Sequence, residues 1–344
     1  MDLSQAYATY LPWVEAEMRE LLASPEPALA RHYGMMQYHM GWLNADLQPA
    51  DAPAGKRLRP MLCLLTCAAA GGDPQQAVPA AAGLELLHNF SLIHDDIEDY
   101  SPRRRHRPTV WTLFGIPQAL NAGDAMFSLA HLAFLRSVER GVPASTLLKV
   151  LRTFDETCVA LTEGQFLDMT FEDRLDVSPA DYFRMISRKT GALLAAAPYI
   201  GALIANVTSE VMDACRQFGA ALGLAFQLQD DLLGIWGDED LTGKSAAGDI
   251  LSKKKTLPVI YALEHDQVGP ELRRLYGGPP FTPADLPYIL KLFEVASVRS
   301  LVEMQVRQAT VRAHQALAAA KPYAVPELHA LLGELLDSLV GRQA

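Results

Sequence analysis

Apolar residues recur at intervals of three and four along nearly the whole of this chain, and that period constrains its fold more than any other feature. Leu84, Leu87 and Leu92 mark one stripe, Phe127, Leu132 and Leu135 a second, and Phe218, Leu222 and Phe226 a third. Each is the pattern of a helix with one buried face. No stretch alternates apolar and polar residues convincingly, so no strand is expected. Proline and glycine punctuate the helices at Gly71 to Pro74, Pro102 to Pro108, Gly115 to Pro117, Gly141 to Pro143 and Gly277 to Pro280. Ser178 followed by Pro179 reads as an N-cap with proline at the first helical position. None of these breaks is long enough to be a linker, so the sequence predicts one all-α domain over residues 1–344. Gly219 and Gly223, on one helix face, are expected to let a neighbouring helix approach closely.

Half of the residues are apolar, which permits a large core without disulfide staples. Cys63, Cys67, Cys158 and Cys215 show no framework spacing, and free thiols in a reducing cytoplasm are the simpler reading. A net charge of −10 argues against a nucleic-acid partner. The segment Met1 to Glu20 is acidic and amphipathic, without the basic start and apolar core of a signal peptide. Gly191 to Val207 is uncharged and approaches membrane-spanning length, but Pro198, Gly201 and Asn206 interrupt it. A buried core helix is expected there, with no transmembrane segment.

Two aspartate-rich patches close long apolar stretches: His94-Asp95-Asp96-Ile97-Glu98-Asp99 and Gln227-Leu228-Gln229-Asp230-Asp231. Asp95 and Asp99 share a helix face with Asp96 beside them, and such crowding of like charge calls for a cation. Hard oxygen ligands suit Mg²⁺, which completes its shell with water and substrate phosphate. Arg103-Arg104-Arg105-His106-Arg107 follows the first patch at once. Carboxylates and guanidiniums together point to a polyanion gripped from both sides, and a diphosphate fits. Further cations and polar groups stand at Lys56-Arg57-Leu58-Arg59, at His88 two turns before Asp95, at Lys189-Thr190, at Lys244, at Asp249 and at Lys253-Lys254-Lys255. Any one of these alone reads as solvated surface; their order and spacing are the signal.

GKRLRP, ELLHNFSLIHDDIED, the Arg pair ahead of Pro108-Thr109, KTG, FQLQDD, GK and KKTLP occur in an order that resembles the trans-isoprenyl diphosphate synthases (polyprenyl synthetases), with motifs from Gly55 to Pro258. The resemblance implies an isoprenoid synthase helical bundle around a central apolar cavity, acting as a homodimer. It implies that Asp95, Asp96 and Asp99, with Asp230 and Asp231, hold Mg²⁺, three ions in all, against an allylic diphosphate. Arg104, Lys189 and Lys254 would grip that diphosphate, with Thr190, Gln227 and Lys244 alongside. Lys56, Arg59, His88 and Arg105 would form the isopentenyl diphosphate pocket. Asp95, Asp96, Arg104, Lys189 and Lys254 would thus carry catalysis. The allylic carbon–oxygen bond ionises as the departing charge is neutralised, the isopentenyl double bond attacks, and the proton leaves with the departed diphosphate. No protein base is then needed, and His94 is expected to be structural.

Two positions depart from the family pattern. Gly234 stands where the second patch usually has a third Asp, with Asp238 a candidate to contribute in its stead, and His106 stands where Gly is common. An Asp restored at 234 is expected to alter Mg²⁺ dependence more than maximal rate. Arg57 and Arg103 have no family role and are expected at the surface. Rival readings are a class I terpene cyclase, which lacks the GK-x-x-R and Arg-pair elements, an HD-type phosphohydrolase, which leaves the basic elements unused, and a non-catalytic regulatory subunit, towards which only Gly234 points. Product length is read from Phe90, five residues before Asp95 and so ~7.5 Å deeper along the helix, and from the small Ser91 beside it. An aromatic there, with no insertion between Asp96 and Asp99, looks like the geranylgeranyl-forming type; the alternatives are a farnesyl or longer product, or Phe90 as plain core.

Overall fold

A computed structural model describes residues 1–53, 55–237, 247–321 and 324–341. Helices dominate, as the apolar period requires. They begin with α1 (Leu3–Leu21), α2 (Ala30–His39), α3 (Leu58–Ala69) and α4 (Pro74–Glu98). After a short hairpin come α5 (Val110–Phe114), α6 (Ile116–Leu135), α7 (Ala144–Glu172) and α8 (Pro179–Ile186). A π-helical turn, Ser187–Gly191, leads into α9 (Ala192–Ile204) and α10 (Ser209–Trp236). Shorter helices and the long Val298–Ala319 and Pro326–Val340 complete the described chain.

Local chemistry explains several boundaries. Asp2 and Gln5 form a capping box at α1, and Ser178 does the same with Asp181 at α8, where Pro179 takes the first helical position as expected. Contrary to the expectation of no strand, Arg103–Arg104 (β1) and Arg107–Pro108 (β2) pair antiparallel. Arg105 and His106 between them both adopt left-handed φ, 50° and 63°. A two-residue hairpin loop of this kind needs positive φ twice, which accounts for the preference for Gly at the place His106 fills.

Contacts group the chain into two compact units. The first comprises 1–158, 196–216 and 320–332, the second 159–195, 217–319 and 333–344, so neither is contiguous in sequence. In the first, α4 packs against α1, α3 and α6. Leu84 and Leu87 are buried there, as the stripe predicted. The second stripe behaves otherwise: Leu132 is 50% and Leu135 47% exposed, because α6 turns Ala119, Ala122, Met126, Ala130 and Phe134 inward instead. With Ile116, Leu120, Val138 and Leu148 these leucines leave an exposed apolar face. In the second unit, Leu228 and Leu232 of α10 meet Tyr182 and Ile186 of α8 and Val302 and Val306 of the Val298–Ala319 helix. Gly223 fulfils its predicted role, since a Cβ there would lie 2.9 Å from the Cα of Gly191.

The uncharged stretch forms α9, largely buried, and no helix among the described residues is long and apolar enough to cross a membrane. All four cysteines are free thiols; Cys63, Cys67 and Cys215 are buried. Arg57 corrects its expectation. It is 3% exposed, and its guanidinium bonds Glu15 of α1 at 2.8 Å and Glu85 of α4 at 2.9 Å. An unpaired buried cation would be costly, and this double pairing ties α1, α3 and α4 together.

Candidate active site

In the first unit the acidic patch ends α4. Asp95 and Asp96 lie in the last turn and Asp99 is the C-cap, its N–H bonded to the Asp95 carbonyl at 2.8 Å. The negative end of a 25-residue helix dipole adds to their repulsion, so a cation is favoured twice over. Asp96 is 2% exposed; burial pushes its carboxyl up to about 6 although Arg104, donating Nε to Oδ1 at 2.8 Å, pulls the other way. The hairpin turn carries Arg105 inward, towards His88 and Arg59 at the head of α3. Burial lowers both Arg59 and Arg105 to about 10. Burial lowers His88 as well, followed by the charges of Arg59, Arg105 and Arg104, so its imidazole is neutral. Arg59 Nε and Arg105 Nη1 are buried with no partner. Donors left unpaired in this way await an acceptor. Lys56 is exposed at the edge and Arg103 at the surface, as expected for the latter. Arg107 bonds the carbonyls of Tyr38 and Leu43 at 3.0 and 2.6 Å and anchors the hairpin.

Deeper on α4, Phe90 packs edge-on to His94 at 4.8 Å and against Phe127 of α6 at 5.0 Å. Phe127 in turn stacks on Phe154 of α7 at 5.9 Å, with His131 against both rings. His94 Nε2 sits 3.3 Å from the Leu120 carbonyl, in keeping with a structural role. The Ser91 hydroxyl donates to the His88 carbonyl, which keeps the position small and tied down.

In the second unit, Asp231 is the hub of a closed network. Its Oδ2 accepts from the Tyr182 hydroxyl and from the Leu257 N–H at 3.0 Å, and Oδ1 accepts from Gln227 Nε2 at 3.1 Å. Gln227 Oε1 accepts from the Thr190 hydroxyl at 2.7 Å, so the KTG and FQLQDD motifs meet. Burial still pushes Asp231 up to about 6 against those donors. Lys189, on the π turn, pairs with Asp168 of α7 at 2.5 Å. Packing around Lys254 weighs against its charge, but Asp168, Asp249, Asp231 and Asp230 outweigh it and raise its pKa. Of three consecutive lysines only Lys254 serves this cluster. Lys253 caps carbonyls of Leu275, Tyr276 and Gly278, and Lys255 bonds those of Glu172 and Lys253.

Gly234 has a reason. A Cβ at that position would lie 2.0 Å from Asp249 Oδ2, so the Asp249 carboxylate fills the space where a third aspartate would begin. Lys244 and Asp238 lie outside the described residues. Sequence reasoning missed Asp168, Gln165 and His39. The first two share α7 and stand three apart, and both amide atoms of Gln165 are buried without partners. Polar groups in a helix interior were the signal, too common alone to be decisive. Among the described residues no three acidic, thiol or imidazole groups converge on one point. The donor set nonetheless fits Mg²⁺, which binds through one or two carboxylates and takes further oxygens from a phosphate.

Known proteins resemble this chain in sequence and in fold. The polyprenyl synthetase family model matches residues 41–293. The (2E,6E)-farnesyl diphosphate synthase of Mycobacterium tuberculosis is 46% identical over 231 residues, 67% of this chain and 63% of that protein, so the match spans under two thirds of the relative's length. The geranylgeranyl diphosphate synthase of the same organism is 40% identical over 264 residues, 76% of this chain and 74% of that one. The crystal structure of geranylgeranyl pyrophosphate synthase from Corynebacterium glutamicum, complexed with isoprenyl diphosphate and magnesium, superposes with a TM-score of 0.82 at 26% identity over the full length of both chains. The family model alone covers well over half of the sequence, and the chain belongs to the polyprenyl synthetase family.

Proposed function

We propose that this chain is a short-chain trans-prenyltransferase that condenses isopentenyl diphosphate with an allylic diphosphate. The observation that carries the reading is the set of buried, unpartnered guanidinium donors on Arg59 and Arg105, in the same unit as an acidic helix terminus. Buried guanidinium donors and a cluster of carboxylates are together matched by a diphosphate with Mg²⁺.

Asp95, Asp96 and Asp99, and Asp230 of the second patch, would hold metal, three ions in all. Asp231, engaged by three protein donors, shapes the second patch, and Asp249 brings it a further carboxylate. The metal supplies charge neutralisation for the leaving diphosphate. Arg104, Lys189 and Lys254, with Thr190, Gln227 and Lys244, bind the allylic diphosphate and share that neutralisation. Lys56, Arg59, His88 and Arg105 orient isopentenyl diphosphate so that its double bond faces the allylic carbon. The aromatic lining keeps water from the allylic cation, and the proton departs with the released diphosphate.

We read 1–344 as one domain working in the cytoplasm as a homodimer, because the exposed apolar face of α6 has the character of a subunit interface. The main product is the twenty-carbon geranylgeranyl diphosphate. Phe90 is braced by Phe127, itself backed by Phe154, so the floor below the site is rigid. The fifteen-carbon product is the second reading, favoured by the 46% identity to a farnesyl synthase. Incubation of the purified chain with both substrates and Mg²⁺, removal of diphosphate from the product and sizing of the alcohol tests all of this. No elongation by the chain alone refutes the catalytic reading, and Phe90→Ala should lengthen the product unless Phe90 is plain core.

A further inference from the structure

His39, the last residue of α2, belongs to none of the motifs that mark the site. It is 9% exposed and its Nε2 is buried without a partner. It lines a cleft with Asp96, Arg104, Arg105 and Arg107. Two further unpaired donors, Arg59 Nε and Arg105 Nη1, belong to the same unit. His39 lies close enough to weigh on His88, and Arg105 and Arg104 weigh on both. A buried imidazole nitrogen without a partner, on a cleft lined by three arginines, is satisfied by an anion that enters there.

We propose that His39 is a direct ligand of isopentenyl diphosphate, donating an Nε2–H hydrogen bond to its diphosphate beside Arg59, His88 and Arg105. This rests on the assignment of that pocket above. The geometry favours a donor, because Arg105 Nη1 on the same cleft is itself a buried donor with no partner, and one entering acceptor can satisfy it and the imidazole N–H together. Burial, then the charges of Arg105, Arg104, Arg57 and Arg107, hold the free imidazole neutral, so it offers one proton and adds no charge before the ligand arrives. A neutral donor selects for reach and direction where the arginines supply attraction.

The test is steady-state kinetics and calorimetric titration with isopentenyl diphosphate on His39→Ala and His39→Gln, with Arg59→Ala alongside. His39→Ala should raise KM and Kd for isopentenyl diphosphate roughly ten-fold, the effect of one hydrogen bond to a charged group. The allylic KM should stay within about two-fold, and His39→Gln, which keeps a donor, should recover most of the loss. In ¹⁵N-histidine spectra one Nε2 signal should shift on adding isopentenyl diphosphate and be missing from the His39→Gln protein. Unchanged isopentenyl diphosphate affinity in both variants, or equal loss for both substrates together with a lower melting temperature, overturns the proposal. Should Arg59→Ala also leave that affinity untouched, the pocket assignment itself falls; an Arg59 effect without a His39 effect removes His39 alone.

Discussion

Asp96 and Asp231 are each the second aspartate of their patch, and burial pushes both carboxyls up to about 6. Around Asp96 the structure supplies Arg104 and, nearby, guanidiniums with donors left over. Around Asp231 it supplies a tyrosine hydroxyl, a backbone N–H and a glutamine amide, which use both oxygens. Asp96 thus has one charged partner in a region with donors to spare, whereas Asp231 has both oxygens engaged by protein donors. On the proposed reading the two aspartates do different work, Asp96 exchanging partners during the reaction and Asp231 holding a frame that includes Gln227 and Thr190.

The comparison breaks most readily at the first patch. On the proposed reaction, Asp95→Ala and Asp96→Ala should each lower turnover by at least ~10²-fold, since each would delete charge that offsets the leaving group, while melting temperatures change little. Near-normal turnover in both would remove the first patch from catalysis. Asp231→Ala should show the opposite emphasis: a loss of ~2–4 kcal/mol in urea unfolding, because three buried donors lose their acceptor, with activity lost as a consequence. Stability equal to that of Asp95→Ala would mean the frame does not depend on Asp231. Lys56→Ala and Arg59→Ala should raise KM for isopentenyl diphosphate ~10-fold more than the allylic KM, and Lys254→Ala the reverse; equal effects on both substrates would merge the two sites. The smallest effect is expected at Gly234. An aspartate there must displace the Asp249 carboxylate, so Gly234→Asp should reduce melting temperature by a few degrees and weaken Mg²⁺ activation. This revises the simpler expectation that it would restore a missing ligand, and an unchanged Mg²⁺ titration with unchanged stability would contradict the close packing at 234.

The helices, the Ser178-Pro179 start and the close approach at Gly223 were legible because each is written in adjacent or helix-spaced residues. The patches and the basic motifs were legible for the same reason. What escaped the sequence depends on partners far along the chain. Arg57 reads as surface until Glu15 and Glu85, 42 and 28 residues away, are seen to enclose it. The outward turn of Leu132 and Leu135 follows from the small residues on the opposite face of α6, which the apolar count alone does not rank. The three lysines from Lys253 to Lys255 look alike in sequence, and only the left-handed φ of 56° at Lys253 separates their directions. Gly234 reads as a deletion until Asp249 is found in its place.

The π turn at Ser187–Gly191 carries a consequence of a different kind. A π turn is an α-helix with one residue too many, and the surplus is accommodated without altering the phase of the helix on either side. Here the turn carries Lys189 and Thr190. Deleting one residue from this turn would leave α8 and α9 in register with their neighbours and restore ordinary helical hydrogen bonding, while turning Lys189 away from Asp168. Architecture in this segment is thus separable from the placement of Lys189: a one-residue deletion should leave a folded protein without the Lys189–Asp168 pair.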